Sequence, residues 1–374
     1  MKVARVVTSP ESIFFVMRNT LNQFNGEYDL TIIAPYSEDM PKRWPKIKWI
    51  YLDLGRKISL TKDIANLFRL ILIFRKEHFD IVHSLMPKTS LMSAVAGFIA
   101  RVPIRMHTFT GQVWATKSGI ARWALRQADR LVCALNTHCS ADSASQIEFL
   151  KSEGIPICGK IDLLADGSLS GVDLNLIDKV DPKFRADFRA THGIPQDEFV
   201  FIFLGRKRAD KGVLEIIDAI SMIPDRRFTM VFVGPDEGQF SERLQSRSLR
   251  NVIEIGFVNN PLDYISVADG LLLPSHREGF PNVIIESGAL GIPSIGTNIP
   301  GMTDSVVNGK TGILVPVKNP SKLAEAMMLL STDRKLAKEM GAAAKIRART
   351  LFSCQRLFEA LTNIYKNEFS KRNP

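Results

Sequence analysis

The feature that most constrains this chain is a rhythm of short apolar runs and longer amphipathic stretches, which begins twice. In the first half the apolar runs lie at 3–8, 30–34, 47–52, 80–85, 104–109 and 130–135, with helical patterns between them, as at 61–77 and 90–100. In the second half they lie at 199–205, 228–234, 252–256, 270–274, 293–297 and 312–316. Strands that alternate with helices predict parallel sheets covered on both faces. The pattern therefore predicts two Rossmann-like, doubly wound α/β domains that face each other across a cleft, with ligands at the carboxyl ends of the strands.

The length of the chain agrees with two domains, because 374 residues are long for one. The stretch "DGSLSGVDLNLIDKV" at 166–180 is rich in Gly, Ser and Asp, which is typical of a linker. We place the boundary between 173 and 195, so that the domains span 1–175 and 176–351. A last amphipathic stretch at 351–368 predicts a terminal helix.

The charge of the chain favours anionic partners, since the net charge is +10 and the pI is about 9.4. Residues 42–76 hold ten Lys or Arg but only two acids. Trp44, Trp49, Ile50 and Tyr51 are interleaved with these cations. Two interpretations stay open: a solvated helix face with core aromatic residues, or a patch that lies on an anionic membrane or holds a lipid phosphate.

A second basic stretch, "QVWATKSGIARWALRQADR", allows the same two interpretations. Its cations and tryptophans could extend a membrane surface, or form an ordinary solvated helix. These residues are Lys117, Arg122, Arg126, Arg130, Trp114 and Trp123.

The remaining bulk features predict a cytoplasmic protein. The four cysteines, Cys133, Cys139, Cys158 and Cys354, show no CxxC or metal spacing, so we expect reduced core thiols. The start "MKVARVVTSP" predicts a first strand and not a signal peptide. No apolar run is long enough to span a bilayer. We expect the protein to lie peripherally on the inner face of the plasma membrane.

The stretch "REGFPNVIIES" places Glu278 and Glu286 around a predicted helix start that follows the apolar run "GLLLP". Pro281 suits the first helical position, and Gly291 suits the left-handed cap at the end. The amides of 280–284 would then include free donors, which form an anion site. Glu286 lies among apolar residues and needs partners such as ribose hydroxyls. The alternatives are a solvent-facing glutamate at 286 and, at 278, a loop acid that disfavours phosphate.

A cationic loop, "GRKRADKG", follows the apolar run at 199–205. We predict that Asp210 caps the next helix and that Lys211 lies in its first turn, where the helix dipole repels a cation. Arg206, Lys207 and Arg208 crowd the same loop. A diphosphate would balance this cluster, and the alternative is a basic surface loop. The dinucleotide fingerprint GxGxxG and the P-loop GxxxxGK[ST] are both absent.

Metal motifs are also scarce in the sequence: it has no HExxH, no HxxxH and no Asp-x-Asp pair. We therefore expect no cofactor and no metal ligands. If the protein cleaves a nucleotide-sugar bond, its own cations must neutralise the leaving diphosphate, and Arg206 and Lys211 are the candidates, acting by preorganised electrostatics.

Two strand ends in the first half could also face a ligand. His107 ends the run "IRMHTF" and could contact a sugar hydroxyl or phosphate, or be a satisfied strand-end histidine. In "TSPES", Ser9 could cap a helix that starts at Pro10.

These residues resemble glycosyltransferase family 4, the retaining enzymes of the GT-B fold. The resemblance is carried by "GRKRADKG" and by "GLLLPSHREGFPNVIIESGALGIPSIGTNIPGMTDSVVNGKTGILVP". The stretches "HTFTGQVWATKSG" and "DGSLSGVD" are similar to the bacterial branch that builds capsule, O-antigen and other lipid-linked polysaccharides.

The resemblance implies roles for these residues. Arg206 and Lys211 would hold the donor diphosphate, and Glu278 would lie near the reacting centre. Glu286 would bind the ribose, and His107 would be the histidine of the cleft. The amides that would hold sugar hydroxyls and phosphate are those of Gly279, Phe280, Pro281, Asn282 and Val283. The terminal helix, about 352–374, would return to the first domain.

The sequence departs from the family at two points. Relatives often carry a Gly-Gly loop where this chain has "TSPES", and often a histidine where Thr110 stands.

The expected function is transfer of a sugar from a nucleotide sugar, with UDP as the expected nucleotide, to a polyprenyl-diphosphate-linked glycan. The resemblance implies retention of the anomeric configuration. The alternatives are a UDP-sugar 2-epimerase and a non-catalytic nucleotide-sugar-binding scaffold.

Overall fold

The computed structural model describes residues 1–9, 13, 17–24, 28–55, 59–155, 161–223, 227–238, 240–247 and 249–372. Three features of the sequence analysis lie outside these ranges: the helix start at Pro10 within "TSPES", the thiol of Cys158, and the cations Arg56 and Lys57 of the 42–76 patch.

The chain forms two α/β units. One is Met1–Gly171 with Cys354–Pro374, and the other is Val172–Ser353. The division falls just before Val172, whose amide donates to the Phe352 carbonyl at 2.7 Å, so that residue packs within the second unit. The predicted linker is largely buried around Ser168 and Ser170, which are 0% and 2% exposed. The division therefore lies closer to the N-terminus than the boundary we expected.

The first unit is built on one parallel sheet with the strand order β3-β2-β1-β4-β5-β6-β7. The strands are β1 Lys2–Val6, β2 Asp29–Ala34, β3 Lys48–Tyr51, β4 Ile81–Ser84, β5 Ile104–Phe109, β6 His138–Ala141 and β7 Ile161–Leu163. The helices that precede the linker are α1 Arg18–Phe24, α2 Asp39–Arg43, α3 Leu60–Glu77, α4 Pro87–Ile99, α5 Gly119–Leu135 and α6 Ala144–Ser152.

One predicted strand of this unit is wrong. Residues 130–135 are the last turns of α5, where Val132 and Cys133 are buried and their neighbours on either side are exposed. A short apolar run suits a helix as well as a strand, and here the longer amphipathic pattern prevails. The strand that follows, β6, was missed because its sequence "HCSA" lacks an apolar signal.

The second unit has the strand order β10-β9-β8-β11-β12-β13, again parallel. Its strands are β8 Phe199–Leu204, β9 Phe228–Val233, β10 Val252–Ile255, β11 Gly270–Leu273, β12 Ser294–Thr297 and β13 Gly312–Val315. Its helices are α7 Leu174–Ile177, α8 Pro182–Thr191, α9 Val213–Ser221, α10 Phe240–Ser246, α11 Pro261–Ser266, α12 Asn282–Ala289, α13 Met302–Ser305, α14 Pro320–Thr332 and α15 Arg334–Leu351. All six predicted strands of this half are confirmed.

Each sheet reverses its winding at one point: between β1 and β4 in the first unit, and between β8 and β11 in the second. Ligands of doubly wound folds bind at the carboxyl ends of such strands. In the second unit this brings the loop after β8 next to the loop after β11. These two loops carry Lys211 and Glu278, which the sequence predicts to be site residues.

The terminal helix α16, Cys354–Ser370, packs within the first unit. Phe358 meets Phe24 edge-on, with ring centroids 4.8 Å apart. Tyr365 is fully buried against β1 and β4. Cys133, Cys139 and Cys354 are buried.

Candidate functional site

The loop after β8 differs from the predicted helix start. Residues Ala209–Lys211 form a single 3-10 turn, and α9 begins only at Val213. Gly212 separates the two with a left-handed φ of 76°. A side chain there would meet the Pro274 carbonyl oxygen at 2.1 Å from Cβ. Asp210 therefore does not cap α9, and Lys211 lies before that helix and not in its first turn.

The cations of this loop already have acidic partners. Arg206 Nη1 lies 3.4 Å from Glu237 Oε2, and Arg208 Nε donates to Asp210 Oδ1 at 3.0 Å. Lys207 is 2% exposed and pairs with Glu254. The expectation of an unbalanced cluster is therefore wrong, because carboxylates from the loop after β9 and from β10 neutralise it. Arg206 remains 42% exposed, so it is accessible to a ligand.

The loops after β8 and β11 meet through an ion pair. Lys211 Nζ lies 2.6 Å from Glu278 Oε1, and the same oxygen accepts a hydrogen bond from Ser275 Oγ at 2.7 Å. The side chains of Lys211 and Glu278 are 21% and 12% exposed. A cation and a carboxylate are thus held together at the point where the winding of the sheet reverses.

A second pair supports these loops and was missed in the sequence analysis. His276 Nε2 lies 2.7 Å from Glu215 Oε1 on α9, and the His276 amide donates to the Asp210 carbonyl at 2.9 Å. The available signal was the position of His276 in the loop that follows β11, at the sheet's reversal point.

Helix α12 begins at Asn282, with Pro281 as its N-cap, so Pro281 is not the first helical residue. No side chain caps this helix start. Pro281 has no N–H, and the amide of Ile284 donates to the Pro281 carbonyl at 3.1 Å. Pro281 and Ile284 are therefore not free donors of the predicted set, whereas the helix itself offers no i−4 acceptor to the amides of its first two residues, Asn282 and Val283.

The residues before α12 serve the packing of the loop. Phe280 is 7% exposed and meets Phe352 with ring centroids 5.1 Å apart. The Gly279 carbonyl lies against Gly301, where an added Cβ would come within 1.3 Å of the Gly279 oxygen. At the far end of the helix, Gly291 has the left-handed conformation that the sequence predicted.

Glu286 is the fifth residue of α12 and is half-buried, between the buried Ile285 and Ser287. It therefore lies little more than one turn from the helix start. Its position between buried neighbours does not fit a fully solvated glutamate.

His107 belongs to the first unit, whereas the other predicted site residues belong to the second. Its ring is 4% exposed, and Nδ1 lies 3.0 Å from Ser84 Oγ and 3.1 Å from the Ser84 carbonyl oxygen. Burial lowers the pKa of His107 to about 3, although the bond to Ser84 opposes this shift. Because a carbonyl can only accept, Nδ1 carries the hydrogen. Nε2 is then an acceptor, suited to a hydroxyl and not to a phosphate.

A buried polar chain behind His107 was also missed in the sequence analysis. His83 on β4 is fully buried, with Nδ1 2.7 Å from the Tyr365 hydroxyl and Nε2 2.8 Å from Thr108 Oγ1. Arg5 Nη2 donates to the same tyrosine at 3.1 Å. A histidine within an apolar strand was the available signal.

Within the described ranges, no group of three His, Cys, Asp or Glu is placed to hold a metal ion.

Comparison with known proteins gives a consistent result. A family model described as "Glycosyl transferases group 1" matches residues 184–347. The capsular polysaccharide biosynthesis glycosyltransferase CapM of Staphylococcus aureus is 30% identical over 379 residues, which cover 100% of this chain and 98% of that protein. The UDP-Gal:alpha-D-GlcNAc-diphosphoundecaprenol alpha-1,3-galactosyltransferase of Escherichia coli is 26% identical, covering 90% of this chain and 89% of that protein.

Solved structures show the same fold. Sucrose-phosphate synthase from Thermosynechococcus elongatus superposes with a TM-score of 0.82 at 20% identity, covering 99% of this chain and 100% of that one. Anabaena HepE in complex with UDP-glucose gives a TM-score of 0.80 at 17% identity, covering 98% and 100%. With a relative at 30% identity across its whole length, the chain belongs to the group 1 glycosyl transferases, the family 4 type, and is a glycosyltransferase of the two-domain GT-B fold.

Proposed function

We propose that this glycosyltransferase moves a sugar from a UDP-sugar to a polyprenyl-diphosphate-linked glycan during synthesis of a cell-surface polysaccharide such as capsule or O-antigen lipopolysaccharide. The transfer retains the anomeric configuration and needs no metal. The name of the E. coli relative supports the substrate classes, and that of the S. aureus relative supports a role in capsular polysaccharide synthesis. Neither the epimerase nor the scaffold alternative is favoured by these relatives. The observation that carries the proposal is the Lys211–Glu278 pair at the reversal point of the second sheet.

The donor diphosphate is neutralised by protein cations. Lys211 is already held in place by Glu278, so little reorganisation is needed when negative charge develops on the leaving group. Arg206 is bound to Glu237 by a long, half-exposed contact of 3.4 Å, which a phosphate can replace at small cost. The start of α12, at Asn282 and Val283, adds the positive end of a helix dipole, where anions are favoured.

The rest of the donor is held by α12 and the loop before it. Glu286 accepts hydrogen bonds from the ribose hydroxyls. The loop of Gly279 and Phe280 forms the wall beside the sugar, fixed by the packing of Phe280 on Phe352. In the first unit, Nε2 of His107 accepts from a sugar hydroxyl, since the neutral ring has its hydrogen on Nδ1.

The reaction is a front-face substitution. The bond between the sugar anomeric carbon and the phosphate oxygen breaks while a bond to the acceptor hydroxyl oxygen forms on the same face. The proton of that hydroxyl passes to the departing diphosphate, and UDP leaves. Glu278, next to the reacting centre, keeps Lys211 directed at the diphosphate and supports the positive charge that develops on the sugar.

Sugar transfer in the presence of a chelator tests this proposal, after UDP- and GDP-sugars have been screened by thermal shift. We expect Lys211→Ala to lower kcat by about 100-fold or more, the typical cost of one preorganised donor. Glu286→Ala should raise the donor KM by roughly 10-fold or more, as for a hydrogen bond to a charged group. Arg247→Ala, which breaks an exposed ion pair with Asp218 in the same unit, is the matched control.

Full activity in both variants would remove the assignment of the donor site. Loss of wild-type activity on chelation, with recovery on adding magnesium or manganese, would contradict metal independence. Conversion of a UDP-sugar without any acceptor would instead indicate an epimerase.

A further inference from the structure

The outer face of α3 is unusually apolar for a surface helix. Leu60, Ile64, Phe68 and Leu72 follow one another at intervals of four residues and are between 56% and 76% exposed. This spacing places all four on one stripe of the helix. The opposite side of α3 packs into the core. The stripe is therefore a second apolar face that the unit itself does not cover.

Helices α4 and α5 continue this surface. The connections β3-α3-β4, β4-α4-β5 and β5-α5-β6 all step in the same direction across the sheet, so right-handed crossovers put the three helices on one side. Helix α4 packs against both neighbours. Exposed apolar side chains on these two helices are Phe98, Ile99, Ile120, Trp123 and Leu131. We call the exposed surface of α3, α4 and α5 the three-helix face.

The exposed charged side chains of the three-helix face are all positive. Exposed cations on it, or at the helix starts and ends, are Lys62, Arg69, Arg75, Lys76, Arg101 and Lys117. By contrast, the acids of these three described helices are all only partly exposed and have partners. Asp63 pairs with Lys88 at 2.7 Å and Glu77 with Lys48 at 2.5 Å.

The third acid, Asp129, accepts a hydrogen bond from Trp114 Nε1 at 2.6 Å. Burial raises the pKa of Asp129 to about 6, although that bond opposes the shift. No exposed acid therefore interrupts the apolar surface of the three described helices.

The structure changes which residues could form a membrane surface. Trp44 is 5% exposed and Trp49 is half-buried, so these aromatic residues of the 42–76 stretch belong to the core. Trp114 is 1% exposed, with Arg122 and Arg126 stacked on its ring and paired with Glu153. None of the helices in the described ranges combines the length and apolar character needed to cross a bilayer.

We propose that the three-helix face lies on an anionic lipid bilayer, with its apolar side chains in the headgroup region and its cations on the lipid phosphates. An apolar stripe rimmed by exposed cations, with no exposed acid on the three described helices, is complementary to such a surface. The inference rests on the proposed function, because a polyprenyl-linked acceptor is embedded in a bilayer. Helices α3 and α5 start at the carboxyl edge of the sheet, so the face reaches the edge where ligands of this fold bind.

Flotation of the full chain with vesicles tests the proposal. The probes are phosphatidylcholine vesicles with and without phosphatidylglycerol, at low and at high salt. We expect binding to the anionic vesicles at low salt, and at least a 10-fold loss of the bound fraction in neutral vesicles or at high salt. The variants Phe68→Glu/Leu72→Glu and Trp123→Glu should lose binding to the same extent. Ile346→Glu, a change of an equally exposed apolar residue in the second unit, should float like wild type.

Three outcomes would overturn the proposal. Wild type could remain unbound to anionic vesicles at low salt, or the variants could float as well as wild type. A wild-type dimer that Phe68→Glu/Leu72→Glu converts to monomers, without flotation of either, would assign the face to a second copy of the chain.

The thermal shift with UDP separates this inference from the proposed function. It should be the same in wild type and in all three variants, which also shows that the variants are folded. If wild type floats but UDP gives no shift, the donor assignment fails and the membrane face stands. If UDP binds but wild type does not float, the membrane inference fails and the donor assignment stands.

Discussion

Gly212 holds the Lys211 loop against the strand that leads to Glu278. It has a φ of 76°, and an added Cβ would come within 2.1 Å of the Pro274 carbonyl oxygen. We expect Gly212→Ala to lower the free energy of unfolding by about 1–3 kcal/mol and to displace Lys211, so that UDP binding weakens. Urea unfolding and the UDP thermal shift measure the two effects.

Gly309→Ala is a matched control, because Gly309 has a φ of 74° but nothing within 4 Å of an added Cβ. It should cost only the left-handed strain, about 1 kcal/mol, and leave UDP binding unchanged. Equal effects of the two substitutions would mean that the approach to Pro274 does not matter. The sequence showed that this loop is cationic, but not that a contact with a distant loop fixes it.

Buried histidines make the first unit sensitive to acid. Burial lowers the pKa of His107 from 6.5 to about 3, and that of His83 is lowered well below its usual value. Between these two pKa values of His107 the unfolded chain binds a proton that the folded chain does not, so stability falls as the pH drops below 6.5. The expected loss is about 1.4 kcal/mol per pH unit for each such ring.

His107→Asn, which keeps a donor for Ser84, should make that decline shallower by about 1.4 kcal/mol per pH unit. Urea unfolding at a series of pH values measures it. Above about pH 7.5 the free energies of unfolding of the variant and of wild type should change in parallel with pH. The His107 ring is then neutral in both the folded and the unfolded wild-type protein. An unchanged slope in acid would show that His107 is protonated in the folded protein.

The Tyr365 hydroxyl is a buried polar link between helix α16 and the first sheet. The Tyr365 oxygen lies 2.7 Å from His83 Nδ1 and 3.1 Å from Arg5 Nη2, and the side chain is fully buried. Tyr365→Phe leaves a buried histidine nitrogen and a guanidinium group with one partner fewer. We expect a loss of about 1–3 kcal/mol in urea unfolding.

Tyr264→Phe is the control, since Tyr264 is only half-buried and packs on Phe184 and Phe188 through its ring. Its cost should stay within about 0.5 kcal/mol. If Tyr365→Phe is equally mild, the apolar packing of α16 around Phe358 must hold the helix by itself.

The elements differ in how well their sequences specify them. All six strands of the second unit could be predicted because each is an apolar run bounded by turn residues. Strand β6 could not, since its polar Ser140 bonds to Thr108 of β5, and its His138 lies beside Asp162 of β7 and Glu368 of α16. The amphipathic period predicted α16, but its polar contacts with Arg5 and His83 join residues hundreds of positions apart, which no local pattern reports.

The candidate site shows the same division between local and distant information. Lys211, Glu278 and the start of α12 were predicted because each has a local signal. The pairs that join the loops were not predicted, because the contacts of Lys211 with Glu278, of Glu237 with Arg206 and of His276 with Glu215 depend on which strands are neighbours in the sheet. The sequence therefore predicts the groups of the site, and the folded sheet determines how they are paired.

The two units have separate cores, and all the residues proposed to hold the UDP portion of the donor lie in the second. UDP alone should therefore slow amide hydrogen exchange in residues 205–212 and 275–286, where the Lys211 loop and α12 meet. A ligand that binds the native state raises the free energy of local opening by RT ln(1 + [L]/Kd), so UDP at about 100 times its Kd slows exchange about 100-fold.

Lys211→Ala should abolish this protection at the same UDP concentration, and Arg247→Ala should preserve it. Exchange within β4 and β5 provides the internal reference for the first unit. Protection confined to those strands, with none in the second unit, would place the nucleotide on the other half of the molecule and contradict the proposed donor site.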